Sequence, residues 1–544
     1  MCLIDKITVK NVFRRSRGYL QNHISEKYVA LVSDLKFFSQ KNSARMKMTL
    51  ALLPLLSARC LARAFVLFFT ILLPLFSFAQ NSHSPSPVVS PEQPNILWIY
   101  VEDTNPWMSC YGDQVVQTPN IDALATEGMR FDRAYMTSGV CSPTRSAIIT
   151  GMYQTSIGAH EHYSSFSMWR GNKMEVWDPN HLGVRTLPEI FKAAGYYTFN
   201  EGKKHYNFVF SDEDLYDRVA NNGFKGARDG SEWSDCPPGK PFFGQIQLRG
   251  GKYPDPKKVV DPASVPVMPY YPDHPVFRQE IAHHYNTILE LDRIAGEIIT
   301  RLKEDGLYEN TVVFFFSDHG SRLPRPKQFL YEEGIKVPLI VAGPGIEQGK
   351  VRQDLVSGID ISATTLALAN IRIPDHMHGM DIFADGFKRD YVIAARDRCD
   401  FTIDRIRTVV TGRYKYIRNF MTDKPWMQPN YRSDWGTLKL LKSLHADGKL
   451  NEVQARFPGE ERPAAELYDL LEDPHETNNL VHSWQREHQM QLAKHRDTLY
   501  RWIVETDDKG RFPETDNALE AVIDRWGEKA VNQEYQRVRG SKGN

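Results

Sequence analysis

Two apolar runs that end in acidic residues constrain the fold of this chain more than any other feature. Residues 95–103 read NILWIYVED, and residues 311–319 read TVVFFFSDH. A strand with apolar side chains on both sides of its pleat is covered on both faces, the usual state of buried parallel strands. Comparable runs stand at 197–200, 241–248 and 337–342, with helical stretches between them at 119–126, 186–194 and 282–304. The last stretch has apolar residues at 288, 289, 291, 294, 295, 298 and 299, the spacing of one helix face. Strand and helix alternating in this way predict an α/β fold, a mixed and mostly parallel sheet flanked by helices. Glu102-Asp103 and Asp318-His319 then fall at the carboxyl edge, where open α/β sheets hold their ligands.

From about residue 391 the texture changes. Residues 406–418 read as a hairpin turning at Thr411-Gly412, 466–470 as a further strand, and 483–504 as a charged amphipathic helix. This predicts a catalytic domain over 95–390 and a smaller α+β subdomain over 391–544. No internal repeat is visible.

Charge and the N-terminal region exclude several classes of function. The chain of 544 residues has 67 Lys+Arg and 67 Asp+Glu, but 12 basic and only three acidic residues lie in the first 79. The remainder has 55 against 64, a net of −9, which argues against nucleic-acid binding by phosphate neutralisation. Residues 64–79 (AFVLFFTILLPLFSFA) are uncharged, follow Arg59 and Arg63, and end in Ser77-Phe78-Ala79. This is the pattern of a signal peptide cut after Ala79. The run is shorter than the roughly 20 residues of a membrane span and contains Pro74, so no membrane anchor is expected. Residues 1–79 are thus read as a leader, with Met46 or Met48 as candidate start positions, and 80–94 as a linker. The body is expected to be exported, to the periplasm or beyond. It keeps four cysteines, Cys110, Cys141, Cys236 and Cys399, too few for a disulfide scaffold.

The segment richest in chemistry is Cys141-Ser142-Pro143-Thr144-Arg145, followed by SAIITG. A Cys opening a helix lies near the positive end of its dipole, with Arg145 one turn further on the same face. Such surroundings suit an anion or an activated nucleophile. A buried structural Cys is the plainer alternative at this level.

The segment resembles the signature of type I sulfatases, in which the Cys is oxidised to formylglycine (3-oxoalanine) and the hydrated aldehyde is the nucleophile. Further motifs of that family follow in order across about residues 95–505. Glu102-Asp103 resembles the paired acidic metal ligands. Gly202-Lys203-Lys204-His205 is similar to a motif whose Lys and His flank the sulfate. Ser317-Asp318-His319-Gly320 resembles the second metal motif, and Lys327 falls at the place of the second sulfate-binding Lys. The resemblance implies an alkaline-phosphatase-like fold. It also implies one divalent cation, Ca²⁺, held by Glu102, Asp103, residue 141, Asp318 and His319, with Arg145, Lys203 and Lys327 around the sulfate. His205 is the expected proton acceptor, since imidazole titrates near working pH. Hard carboxylate oxygens at one sheet edge suit such a cation, and His319 stands where many relatives have an amide. A formylglycine-generating (sulfatase-maturating) enzyme is an implied partner.

One position departs from the pattern. Where relatives carry a His that protonates the leaving oxygen, this chain reads Gln247-Leu248-Arg249-Gly250-Gly251-Lys252, which puts Lys252 at that place. Lys252 is therefore a candidate acid, and Arg249 or Lys252 is equally a candidate contact for an anionic sugar. The nearest resemblance is to heparan N-sulfatase-like (sulfamidase-like) members, but their pattern has Asn at His319, Arg at Lys327 and His at Lys252. Altered groups around the leaving atom favour an O-sulfate ester on a sugar, as in a polysaccharide of the ulvan type or a glycosaminoglycan. His160, His162, Arg249, Arg396 and Arg398 are the candidate sugar contacts. The alternatives are an N-sulfoglucosamine sulfohydrolase, a phosphate-ester hydrolase of the wider group, and a glycan-binding pseudo-enzyme with an unmodified Cys141.

Overall fold

Strand β1 (Asn95–Val101) lies inside an eight-stranded sheet, hydrogen-bonded in parallel to β6 (Phe242–Leu248) on one side and β7 (Thr311–Ser317) on the other. Every residue of these three strands is buried, as their predominantly apolar character requires. A computed structural model describes residues 93–162, 183–220 and 232–541. The sheet order is β10-β2-β9-β7-β1-β6-β4-β5. Its other members are β2 (Gly128–Phe131), β4 (Tyr197–Glu201), β5 (Arg218–Ala220), β9 (Leu339–Ala342) and β10 (Lys350–Arg352). Only β9 runs against its neighbours, pairing antiparallel with β7 and β2. The mixed, mostly parallel sheet expected above is therefore the observed one.

Alternate residues of β1 enter different cores. Leu97, Ile99 and Val101 join a cluster with Ile281, Ile288, Leu291 and Ile298, while Ile96, Trp98 and Tyr100 join one with Ile148, Phe191, Ile361 and Leu366. Three helices supply those partners on the second face: α2 (Cys141–Thr150), α3 (Leu187–Ala193) and α5 (Gly358–Leu368). On the first face stand α1 (Pro119–Glu127) and the 30-residue α4 (Pro275–Glu304). Each large aliphatic residue buried there contributes about 1.5–3 kcal/mol. Helix α4 begins seven residues before the expected 282, because Pro275 takes the first-turn position and the His274 ring accepts from the Val276 N–H at 3.2 Å.

The run 337–342 is not one strand. Pro338 has no N–H for a ladder, so β8 (Lys336–Val337) ends before it and pairs with β3 (Ala134–Tyr135) in a small sheet completed by β11 (Val356–Ser357).

The C-terminal part is a four-stranded antiparallel sheet, β12 (Val392–Arg396), β13 (Ile406–Val410), β14 (Tyr414–Asn419) and β15 (Ala465–Asp469). The expected hairpin is β13–β14, closed by the Thr411 N–H donating to Tyr414 O at 2.9 Å. Helix α6 (Arg486–Glu505) packs Leu499, Trp502 and Ile503 against Val409 and Tyr416 of this sheet. Strands β2, β3, β5, β10, β11 and β12 were not expected from the sequence; most are short. The leader 1–79 lies outside the described residues. Among the described residues, no helix is long and apolar enough to cross a membrane.

Candidate active site

The carboxyl ends of β1 and β7 are knitted together at the base of the site. Asp103 takes a left-handed conformation (φ 51°) and its N–H donates to Asp318 Oδ1 at 3.0 Å, while the Thr104 N–H donates to Ser317 Oγ at 3.1 Å. Cys141 opens the wholly buried helix α2, close to the positive end of its dipole. One turn on, the buried Arg145 donates to Asp318 Oδ2 at 3.1 Å and Gln247 Oε1 at 2.7 Å, with its guanidinium 4.3 Å from the Tyr100 ring centre.

Three ammonium groups close over this base. Lys327 Nζ lies 2.8 Å from Asp103 Oδ2 and 3.7 Å from Cys141 Sγ. Lys203, just past β4, reaches Glu102 Oε2 at 2.9 Å. Lys252 lies 3.2 Å from Cys141 Sγ, 3.1 Å from Asp103 Oδ1 and 2.5 Å from Glu102 Oε2. Lys252 comes so near because two glycines precede it. A Cβ on Gly250 would stand 2.2 Å from Glu102 O, and one on Gly251 2.4 Å from Asp103 O. The side chains of Lys203 and Lys252 are 29% and 35% exposed, so the site opens to solvent on their side.

Glu102, Asp103 and Asp318 thus face four cations, Arg145, Lys203, Lys252 and Lys327. Burial alone would raise the carboxylate pKa values, but Lys203, Lys252 and Arg145 hold Glu102 at about 2. Lys252 and Lys327 likewise hold Asp103 well below the ordinary range. Burial also raises the Cys141 thiol, and the same lysines overcome it and favour the thiolate. Asp103, Cys141 and Glu102 outweigh burial at Lys252 and keep its ammonium charged. At His205 burial and Lys203 act together and push the ring down to about 3, leaving it neutral beside Cys141 but a weaker base than the imidazole titrating near working pH that was expected from the sequence.

His319 is subject to opposing demands. Burial disfavours its charged form, while Asp318 and Asp103 favour it and draw its pKa up to about 9. Nδ1 lies 2.9 Å from Gly320 O, to which its N–H donates, while Nε2 faces Lys327 Nζ at 2.8 Å, Asp103 Oδ1 at 3.2 Å and Asp318 Oδ1 at 3.4 Å. With Nδ1–H held by Gly320 O, loss of the Nε2 proton would turn the Nε2 lone pair toward Asp103 and Asp318, the way imidazoles are presented to metals. Ligand atoms of Asp103, Cys141, Asp318 and His319 all lie within 4.8 Å of one another, which fits one divalent cation. Glu102, also expected among the ligands, stands 2.9 Å from Lys203 Nζ and 2.5 Å from Lys252 Nζ.

A family profile described as Sulfatase matches residues 94–371, and one described as N-sulphoglucosamine sulphohydrolase, C-terminal, matches 325–461. An ulvan-active sulfatase of Formosa agariphila is 32% identical over 474 residues, covering 78% of this chain and 77% of that protein. The chain belongs to the sulfatase family. Human N-sulphoglucosamine sulphohydrolase is 24% identical, over 76% of this chain and 90% of its own. Among solved structures, a 2-O GAG sulfatase aligns with a TM-score of 0.56 at 20% identity, covering 79% of this chain and 96% of that one. A phosphonate monoester hydrolase from Silicibacter pomeroyi aligns with 0.55 at 16%, covering 77% and 96%. Likenesses at that identity establish the fold, which serves more than one chemistry. The family establishes this chain as a sulfuric ester hydrolase.

In this sulfatase the five candidate sugar contacts do not share one wall. Arg249 is exposed and sits on the turn that carries Lys252. Arg398 is buried, bound to Glu514 at 2.8 Å and Glu161 at 2.9 Å, so its guanidinium is not presented to a ligand. Arg396 is buried as well, 4.0 Å from the Phe329 ring centre and 3.4 Å from Asp404. His160 meets Glu161 at 3.6 Å. His162 is buried with its ring 5.2 Å from that of His205. Gln247 and Asp400 were not singled out from the sequence. Gln247 had a legible signal, a polar residue inside the buried strand FFGQIQL; Asp400 had none.

Proposed function

We propose that this sulfatase is exported and hydrolyses O-sulfate esters of a sulfated polysaccharide, with residue 141 as nucleophile. The observation that carries the proposal is the enclosure of Cys141 Sγ by Lys252 at 3.2 Å, His319 at 3.4 Å and Lys327 at 3.7 Å, above the carboxylates that fit a cation. Conversion of Cys141 to formylglycine by a maturating enzyme supplies a hydrated aldehyde hydroxyl for attack on sulfur. A divalent cation, proposed as Ca²⁺, would be held by Asp103, residue 141, Asp318 and His319 and would supply Lewis-acid charge to the reaction.

The remaining work falls to the chain's own side chains. Arg145, Lys203 and Lys327 surround the sulfate oxygens with charge that needs no rearrangement as the transition state develops. Lys252 stays protonated and solvent-accessible beside residue 141, where it donates a proton to the departing sugar oxygen. His205, neutral and buried, accepts a proton from residue 141 so that sulfate is expelled. The sulfated sugar as substrate draws support from the ulvan-active relative, and a Lys in place of the sulfamidase His favours an oxygen over a nitrogen leaving group. Arg249 is the remaining candidate sugar contact at the mouth.

Two measurements test the reading. In protein made with its maturating enzyme, the tryptic peptide containing residue 141 is expected to be lighter by about 18 Da than the thiol form, the change that oxidation to the aldehyde brings. That protein is expected to release inorganic sulfate from sulfated oligosaccharides. An intact thiol with glycan binding but no sulfate release would leave a pseudo-enzyme.

A further inference from the structure

We propose that His162 and Asp400 form a buried positioning pair that sets the ring of His205 against residue 141. The inference rests on the reading of His205 as proton acceptor and deepens it. His162 Nδ1 lies 3.1 Å from Asp400 Oδ1, both residues are buried, and the His162 ring meets the His205 ring edge to face at 81° with centres 5.2 Å apart. Such a carboxylate orients the ring, because it can only accept and Nδ1–H must donate to Asp400 Oδ1.

The backbone around the pair is built to hold it. His162 and Cys399 form a parallel bridge, and the His162 N–H donates to Arg398 O at 3.0 Å. The Arg398 guanidinium donates to Asp400 O at 2.7 Å and His162 O at 3.3 Å, and is itself fixed by Glu161 and Glu514. Asp400 and His205 both sit in the left-handed region, at φ 52° and 57°, which Asp and His adopt more readily than most residues.

Two other roles for the same residues fit less well. A sugar contact needs His162 at the surface, and it is 4% exposed. A soft-metal site could be drawn from His162, Cys399 and Asp400, whose ligand atoms lie within 4.8 Å. Burial and Asp400 push the Cys399 thiol up, however, and so keep it protonated and a poor ligand.

The pair predicts a specific defect in the mature enzyme. Asp400→Asn keeps the shape but offers Nδ1 a donor, reversing the His162 tautomer; His162→Gln removes the ring. Each is expected to lower kcat about 10- to 100-fold, the usual effect of losing a partner that orients a functional group, with KM unchanged. In a single turnover the alcohol is expected to appear before inorganic sulfate. Nitrogen-15 NMR of the protein still bearing the Cys141 thiol is expected to show the reversed His162 tautomer in Asp400→Asn at an unchanged melting temperature. A raised KM with unchanged kcat would make His162 a sugar contact and overturn the pair. So would wild-type kcat in both variants, or a fall in melting temperature with the His162 tautomer unaltered. Failure of the parent reading looks different: the wild-type enzyme itself would release no sulfate.

Discussion

At the scale of single residues, Lys252 distinguishes this site. Three carboxylates of one edge face four cations, and Lys252 is the cation that touches Glu102, Asp103 and Cys141 together. If it delivers the leaving-group proton, Lys252→Ala should lower kcat/KM by about 10²–10⁴ on alkyl sulfates of sugars and far less on an activated aryl sulfate, whose oxygen leaves without help. Rates across leaving groups of graded pKa measure this. A uniform loss across the series would instead identify Lys252 as a binding group. The same residue shows how a local motif can be read while its surroundings stay hidden. Counting from the strand suggested Lys252 for the site, and the structure sets it 3.2 Å from Cys141 Sγ. No sequence pattern reports that the ammonium groups of Lys203 and Lys252 both reach Glu102.

At the scale of elements, the turn Gly250–Lys252 after β6 lets a lysine approach the carboxylates. Gly251→Ala would set a Cβ 2.4 Å from Asp103 O, a backbone atom that cannot yield by rotating a side chain. The turn must shift, at a cost of about 1–3 kcal/mol, as other small-to-large changes in packed places show. The expected outcome is a modestly lower melting temperature and a large loss of kcat, measured by calorimetry and sulfate release. The strand–helix alternation was legible at this scale because β1, β6 and β7 at the sheet centre are seven residues each and mostly apolar. Short strands such as β3 and β11, two residues each, have no periodicity to read, and they form only because neighbouring segments bring them together.

At the scale of the whole molecule, buried ion pairs tie distant segments around the site. Arg398, beyond β12, holds Glu161 of the catalytic part and Glu514 near the C-terminus, and nothing in its local sequence foretold either partner. Glu161 and Glu514 are only 12% and 11% exposed, and burial and Glu514 push Glu161 well above the ordinary carboxylate range, while Arg398 outweighs burial and holds Glu514 below it. Removing the cation strands the Glu514 charge in that setting, so Arg398→Met is expected to destabilise the protein by about 3–5 kcal/mol. Urea unfolding measures the loss. Pairing the change with Glu514→Gln should recover part of it, because the stranded charge is then gone.

The amino-acid order alone was enough to specify the α/β class, the central strands and the sulfatase motifs, since hydrophobic period and short spacing are local properties. Only the folded chain determined which side chains face Glu102, Asp103 and Asp318, that Arg396 and Arg398 are interior, and that Asp400 stands behind His162. Those outcomes depend on distances between segments tens to hundreds of residues apart, and charge and burial at such distances exist only once the chain has packed.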